Sequence, residues 1–168
     1  VLSTTMAAGV ASSVLEQAVS GTLYWAPSGR LNRETGDLLA SSGVRTVILR
    51  ANALPPSQPN TISTGLGVLG TTYGGMNAVL IDPGLSTTLG LNQSSQSNAI
   101  LMRQRFLAET ALMSQLIRKD APSRMVVAGP RDIRWDPSSE ALNTLLGATG
   151  SVPWLQSASL SDLLTEDS

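Results

Sequence analysis

Apolar and polar positions along this sequence change period several times, and each change marks an element. Residues 7–19 mix Ala, Val and Leu with Ser, Glu16 and Gln17 at helical spacing, and Gly21 closes the run. Thr22-Leu-Tyr-Trp25 is a short β-type run, stopped by Ala26-Pro27-Ser28-Gly29. Asn32 suits the N-cap of a helix through Leu38 and Leu39, with Gly43 placed as its C′ glycine. Val44-Arg-Thr-Val-Ile-Leu49 follows at once and reads as a buried strand. Strand, helix and strand on short links make a βαβ unit with an expected right-handed crossover.

Residues 51–76 break that rhythm. Leu54-Pro-Pro-Ser-Gln-Pro59 is a polyproline-like loop, and the Thr/Ser/Gly-rich stretch after it turns at Tyr73-Gly-Gly75. The pattern predicts an irregular loop or a small β-hairpin insertion over 51–76, laid over the main sheet. Asn77-Ala-Val-Leu-Ile-Asp82 is the third strand, ended by Pro83-Gly84. A short helix and the polar spacer Asn92 to Asn98 lead into the longest helix, near 96–119. There Met102, Phe106, Met113 and Ile117 fall on one arc with Ala99 beside them, so that arc faces a core. Arg124-Met-Val-Val-Ala-Gly129 reads as a fourth strand. A helix from Asp136-Pro137 to Gly147, a short segment at Val152-Pro-Trp154, and a last amphipathic turn from Ser159 or Ser161 through Leu163 and Leu164 complete the order. No internal repeat is present. The pattern predicts one α/β domain over 1–168, with a mainly parallel sheet of about five strands and flanking helices. It is either an open layered sheet or part of a barrel.

Composition narrows the chemistry. The 168 residues include no His and no Cys. That removes the commonest metal ligand, the usual acid/base near neutral pH and the thiol nucleophile together. A net charge of −1 gives no electrostatic case for nucleic acid. No run of apolar residues is long enough for a membrane span, so insertion of this polypeptide into a membrane is not expected. The opening Val-Leu-Ser-Thr-Thr carries no initiator Met and no signal peptide, so a piece of a longer protein is expected.

In parallel α/β sheets, ligands meet the carboxyl ends of strands. Those ends carry, in order, Trp25 and Ser28, Arg50 and Asn52, Asp82, Arg131 to Asp136 with Trp135 among them, and Trp154. Trp beside Arg, Asp and Asn suits a sugar, since aromatic faces stack on CH surfaces while polar groups bond hydroxyls. The competing reading is that the tryptophans plug the open end of a sheet or barrel. Asp82-Pro and Asp136-Pro pose a similar choice. Two such carboxylates at the right spacing are the acid and base of glycoside hydrolysis, yet Asp before Pro is also a turn and cap signature. Arg131-Asp-Ile-Arg134 reads as a solvated loop with local ion pairs before it reads as an anion site. Glu109 falls near the core arc between Phe106 and Met113, so its carboxylate is expected to be paired structurally. Gly65-Leu-Gly67-Val-Leu-Gly70 has dinucleotide-fingerprint spacing, but it follows no clean strand and opens no helix. No phosphate loop is present, and no cofactor is expected.

Several stretches carry a family resemblance, in this order: Trp25-Ala-Pro-Ser-Gly29, Leu38-Leu-Ala-Ser-Ser-Gly-Val44, Val47-Ile-Leu, Asp82-Pro, Gln104-Arg-Phe-Leu-Ala-Glu109, Val126-Val-Ala-Gly-Pro130, Trp135-Asp-Pro137 and Pro153-Trp-Leu155. From about residue 21 to 165 the protein resembles the middle of an actinobacterial family of large secreted, membrane-anchored proteins of unknown function. Members are typically encoded beside the flippase that exports lipid-linked peptidoglycan precursor. The resemblance implies an extracytoplasmic, cell-envelope location, and it implies no activity. A fainter likeness ties the Trp25 turn, the helix to Gly43-Val44 and the next strand to polysaccharide deacetylase and glycosidase barrels. Deacetylases of that type hold a metal with Asp and two His, and a sequence without His does not supply that set.

The leading expectation is therefore a non-catalytic envelope domain that binds a cell-wall glycan or an envelope protein through Trp25, Arg50, Asn52, Asp82, Arg131, Trp135 and Trp154. The alternative is a metal-independent, glycan-active hydrolase-like domain using Asp82 and a second carboxylate ~5–10 Å away, in a groove beside Trp25. A structural spacer is the third reading.

Overall fold

The computed structural model describes residues 22–54, 65–91, 96–116, 125–130 and 135–165, together with 6, 9, 10 and 12–14. Residues 9, 10 and 12–14 are helical, within the helix expected over 7–19, whose remainder lies outside the described residues. The protein divides into two compact units, Val1–Leu80 and Ile81–Ser168.

The first unit is built on β1 (Leu23–Trp25), α1 (Arg33–Ser41), β2 (Thr46–Arg50), β3 (Leu66–Thr71) and β4 (Gly74–Ile81), with a 3₁₀ turn at Ala51–Ala53. Asn32 caps α1 as its residue type predicts, its side chain accepting from the Thr35 amide at 2.8 Å. Ser42 is the C-cap, and Gly43 follows at φ +90°, a conformation that other residues adopt at a cost. The backbone then enters β2, which pairs in parallel with β1 in the register Leu23 to Thr46, Tyr24 to Val47 and Trp25 to Ile48. The core joins Ala26, Leu39, Ala40, Val44, Val47, Leu49, Met76, Ala78 and Leu80. Side chains as enclosed as Leu49 and Met76 each contribute about 1.5–3 kcal/mol of burial.

Among the described residues the sheet is open, one of the two forms expected, and has four strands in the order β1-β2-β4-β3 where about five were expected. It is also less parallel than expected, because β3 and β4 form an antiparallel hairpin across Thr72 and Tyr73. That hairpin is not laid over the sheet: β3 is an edge strand of it, and the third strand is the hairpin's second arm. Asp37 of α1 anchors the turn, accepting from the Thr72 amide at 2.7 Å and the Thr72 hydroxyl at 2.8 Å.

The second unit is mostly helical: α2 (Pro83–Leu89), α3 (Gln96–Leu116), α4 (Ser139–Thr149) and α5 (Leu160–Thr165). Leu85, Leu89, Met102, Phe106 and Leu145 form its core, with Leu91, Met113, Trp135 and Leu155 packed against it. The arc expected on the long helix is the one that faces this core; Ile117 lies outside the described residues. The strand expected over 124–129 reduces to one parallel bridge, Val127 to Ile81. Gly129 lies so close to Ile81 that an added Cβ would sit 2.8 Å from its Cδ1. Ser138, not Asp136, caps α4, accepting from the Ala141 amide at 3.2 Å.

The Asp37 clamp gives the first prediction. Backbone and side-chain hydrogen bonds from Thr72, helped by the charge of Arg33, hold the Asp37 pKa below its ordinary value. A folded-state pKa below the unfolded one gives stabilisation that is complete above the unfolded value, near pH ~4, and is lost as pH falls through the folded value. The Tm difference between the parent protein and Asp37→Asn is therefore expected to be open at neutral pH and to close in acid below that range. A difference that stays constant down to acid denaturation would show that the carboxylate charge contributes nothing.

Candidate functional site

The seven candidate residues fall into two local groups. Trp25, Arg50 and Asn52 belong to the first unit, at the carboxyl ends of the parallel pair β1 and β2. Asp82, Trp135 and Trp154 belong to the second unit, and Arg131 lies outside the described residues.

The first group is set by a tight turn. After Trp25, the backbone folds back through Ala26-Pro27-Ser28-Gly29, closed by the Gly29 amide donating to the Ala26 carbonyl at 2.8 Å. Gly29 has φ +67°, and its missing side chain is needed twice over. A Cβ there would run into the Arg50 side chain, lying 2.9 Å from Nε and closer still to Cγ. The Arg50 amide donates to the Gly29 carbonyl at 2.9 Å, so the end of β2 is stitched to the turn that ends β1. Arg50 is thus half-buried across the turn, and Asn52 is exposed in the 3₁₀ turn that follows. Strand alternation sends Tyr24 into the core and leaves the Trp25 ring 37% exposed beside Ile48.

The second group is engaged with helices, two of its members at the ends of α2. Asp82 caps α2, its Oδ1 accepting from the Leu85 amide at 2.9 Å. Trp135 packs on the core and donates from Nε1 to the Leu89 carbonyl at the last turn of α2, at 2.9 Å. Trp154 donates to the Thr110 hydroxyl at 3.2 Å, and that hydroxyl donates back to the Phe106 carbonyl at 3.0 Å. The plug and platform readings therefore divide between tryptophans: Trp135 is a packing residue, and Trp25 presents a face.

Glu109 is held as its place on the wheel predicts, with the Thr88 hydroxyl as its partner. That hydroxyl donates to Oε1 at 2.8 Å, while Oε2 is buried without a hydrogen bond. A Cβ on Gly84 would stand 3.2 Å from Asp82 Oδ1 and 3.5 Å from Glu109 Oε2. Those two distances bound the separation of Asp82 Oδ1 and Glu109 Oε2 at roughly 7 Å or less, below the wider spacings of inverting glycosidases. The sequence signal for this pair was Gly84, whose lack of a side chain lets the two groups approach. Among the described residues, no group of three or more acidic side chains is arranged to hold a metal ion.

With this geometry in view, residues 3–168 match a family of unknown function, DUF6049. The chain belongs to that family. No curated protein and no solved structure matches it. No helix among the described residues is long and apolar enough to cross a membrane. Family membership assigns no chemistry, so roles rest on the side chains themselves.

The two tryptophans make opposite predictions. Trp135→Ala is expected to cost ~3 kcal/mol or more, since it opens a cavity and removes the Nε1 bond to the Leu89 carbonyl. Trp25→Ala is expected to cost under ~1 kcal/mol. Urea melts of the two variants compare them directly, and equal costs would return Trp25 to a packing role.

The Thr88–Glu109 pair gives a further ordering. Thr88→Val leaves both Glu109 oxygens without a partner and is expected to cost ~1–3 kcal/mol. The double variant Thr88→Val/Glu109→Met removes the stranded charge as well, and is expected to recover most of that loss. A double variant as unstable as the sum of the two single changes would mean that the pair is not coupled.

Proposed function

We propose that this DUF6049 domain is an extracytoplasmic binding module of a cell-envelope protein, and that the carboxyl ends of β1 and β2 take a cell-wall glycan. The observation that carries the reading is the Trp25 ring, more than a third exposed at the strand end. Arg50 and Asn52 follow from the adjacent parallel strand. An aromatic face with amide and guanidinium donors nearby is the combination that binds a sugar ring by its CH surface and its hydroxyls. The backbone stitch between Gly29 and Arg50 makes this end rigid, which lowers the ordering cost of binding. The envelope location follows from the resemblance to secreted, membrane-anchored proteins encoded near the precursor flippase. It is part of the same proposal.

One observation favours a second reading, metal-independent glycan hydrolysis by Asp82 and Glu109: their closeness across Gly84. It is the weaker reading. Asp82 Oδ1 is occupied by the Leu85 amide, and Glu109 Oε2 is closed off from solvent, so neither oxygen is presented to a substrate.

Titration of the purified protein with peptidoglycan and arabinogalactan fragments tests both. The expected result is a saturable change in tryptophan fluorescence with a raised Tm, lost in Trp25→Ala and kept in Trp154→Phe. No response to any fragment, or a response that Trp25→Ala leaves intact, would remove the proposed site. Release of reducing sugar ends that Glu109→Gln abolishes would move the assignment to the hydrolase.

A further inference from the structure

Among the described residues β3 is one edge of the sheet, at the opposite side from β1. Its register decides where its backbone groups point. Thr71 faces Gly74 across the two-residue turn, and the Leu80 amide donates to the Gly65 carbonyl at 2.8 Å. In an antiparallel ladder, hydrogen-bonded and non-hydrogen-bonded positions alternate. Gly65, Gly67, Leu69 and Thr71 therefore bond inward to β4, and the amide and carbonyl groups of Val68 and Gly70 are directed outward.

Natural sheet edges are ordinarily blunted by charge, proline or a bulge. Leu66-Gly-Val-Leu-Gly-Thr71 contains no charged residue and no proline. Its ladder with β4 runs without a bulge, residue for residue, and Val68 is 67% exposed. Beside this edge lies a groove of about 440 Å³ between β3 and the first turns of α1. Leu31 and Leu69 supply apolar wall, Gly36 lines it from α1, and Arg33 is the one charged residue in the lining.

The geometry points to β-strand addition: an extended segment of a partner polypeptide pairs with β3 at Val68 and Gly70 and places a carboxylate against Arg33 at the start of α1. Backbone pairing supplies affinity that is indifferent to sequence, and the groove beside the edge supplies selectivity for alternate side chains. Arg33, whose charge also acts on Asp37 one turn along α1 with Glu34 beside it, and the positive end of α1 favour an anion at that side. The carboxylate has two sources, an acidic side chain or the terminal carboxylate of the partner, which share this chemistry. The inference concerns a surface separate from the strand end of Trp25 and stands whether or not a glycan binds there.

The test is amide NMR of the whole ¹⁵N-labelled protein, titrated with eight-residue peptides of alternating valine and threonine. One peptide has a free terminal carboxylate, one is amidated and neutral, and one is amidated with a central glutamate. Expected are shifts at Val68, Gly70 and Arg33, with slowed hydrogen exchange at Val68 and Gly70. At least one of the two carboxylate peptides binds more tightly than the neutral one, and which of them does so identifies the source. Val68→Lys and Gly70→Pro both act on the outward side of the strand and are expected to weaken binding by about tenfold or more. Their Tm values report that the fold is kept. Arg33→Gln is expected to erase the preference for the carboxylate while leaving the neutral peptide's affinity unchanged. The inference fails if no peptide binds at millimolar concentration or if shifts map away from β3. It also fails if a peptide N-methylated along its pairing edge binds equally well. Concentration-dependent dimerisation that Val68→Lys abolishes would overturn it in favour of a second copy as the occupant.

Discussion

The first unit depends on the parallel pairing of β1 with β2. Parallel neighbours cannot be joined by a tight turn, so the connection must leave the sheet, run back along it and re-enter. That requirement is why a capped helix lies between Trp25 and Thr46. It also explains why the cap residue and the terminating glycine are both sharply placed: Asn32 starts α1 and Gly43 ends it. With its ends fixed, α1 turns Leu39 and Ala40 into the core and Gly36 toward Leu69 of β3. The same return places the carboxyl ends of β1 and β2 side by side. Trp25, Arg50 and Asn52 are thus neighbours because of a connection rule, with the Gly29 turn as its final lock.

Much of this was legible in the residues. The strand at 22–25, the Asn32 cap, the Gly43 terminus, the strand after it and the core arc of the long helix all follow from local patterns that the fold has no reason to override. β3 was not legible. Its six residues include Gly67 and Gly70, and a glycine carries no side chain with which to mark a face, so the alternation that signals a strand is lost. The same glycines mimic a dinucleotide fingerprint, so the local signal was misleading as well as weak. The opposite error occurred at 124–129, where an apolar run with strand composition makes a single bridge. Composition describes what a segment tolerates, and pairing depends on a partner elsewhere in the sequence. At α4 the ambiguity was smaller: Asp136 and Ser138 are both cap residues, and Pro137 between them fits a cap position on either side.

The row of strand-end residues rests on a premise that the second unit meets only in part. It placed three tryptophans together, on the premise that all belong to a single parallel sheet. Among the described residues β1, β2 and β4 share one sheet, and Val127 adds a single parallel bridge to Ile81. In the second unit Asp82 and Trp135 are engaged at the ends of α2, and Trp154 bonds Thr110 within α3. Asp82 accepts from the Leu85 amide at the start of α2, and Trp135 donates to the Leu89 carbonyl at its end. A seven-residue helix has few internal bonds of its own, so its ends must borrow partners from side chains. The polar groups that looked chemical are therefore what makes so short a helix possible.

That division of labour bears on the choice between catalysis and binding. A catalytic carboxylate has to meet substrate, and in the second unit closeness of two carboxylates comes with enclosure. Gly84 lets Asp82 and Glu109 approach, but Thr88 and the Leu85 amide occupy one oxygen of each, and Glu109 Oε2 is shut in. The hydrogen bond from Thr88 explains how one half of Glu109 is tolerated beside an apolar core, and the unpartnered half marks a cost that packing in the rest of the unit must offset. In the first unit the situation is reversed. Its core is made almost wholly of aliphatic side chains, and its backbone is held by strand pairing and two capped turns, so stability does not require the Trp25 ring to be buried. A large aromatic left more than a third exposed on a rigid strand end has no structural duty that matches its size. Trp154 is as exposed, at 38%, but its Nε1 donates to the Thr110 hydroxyl, and that difference in engagement is what favours Trp25 in the proposed binding module.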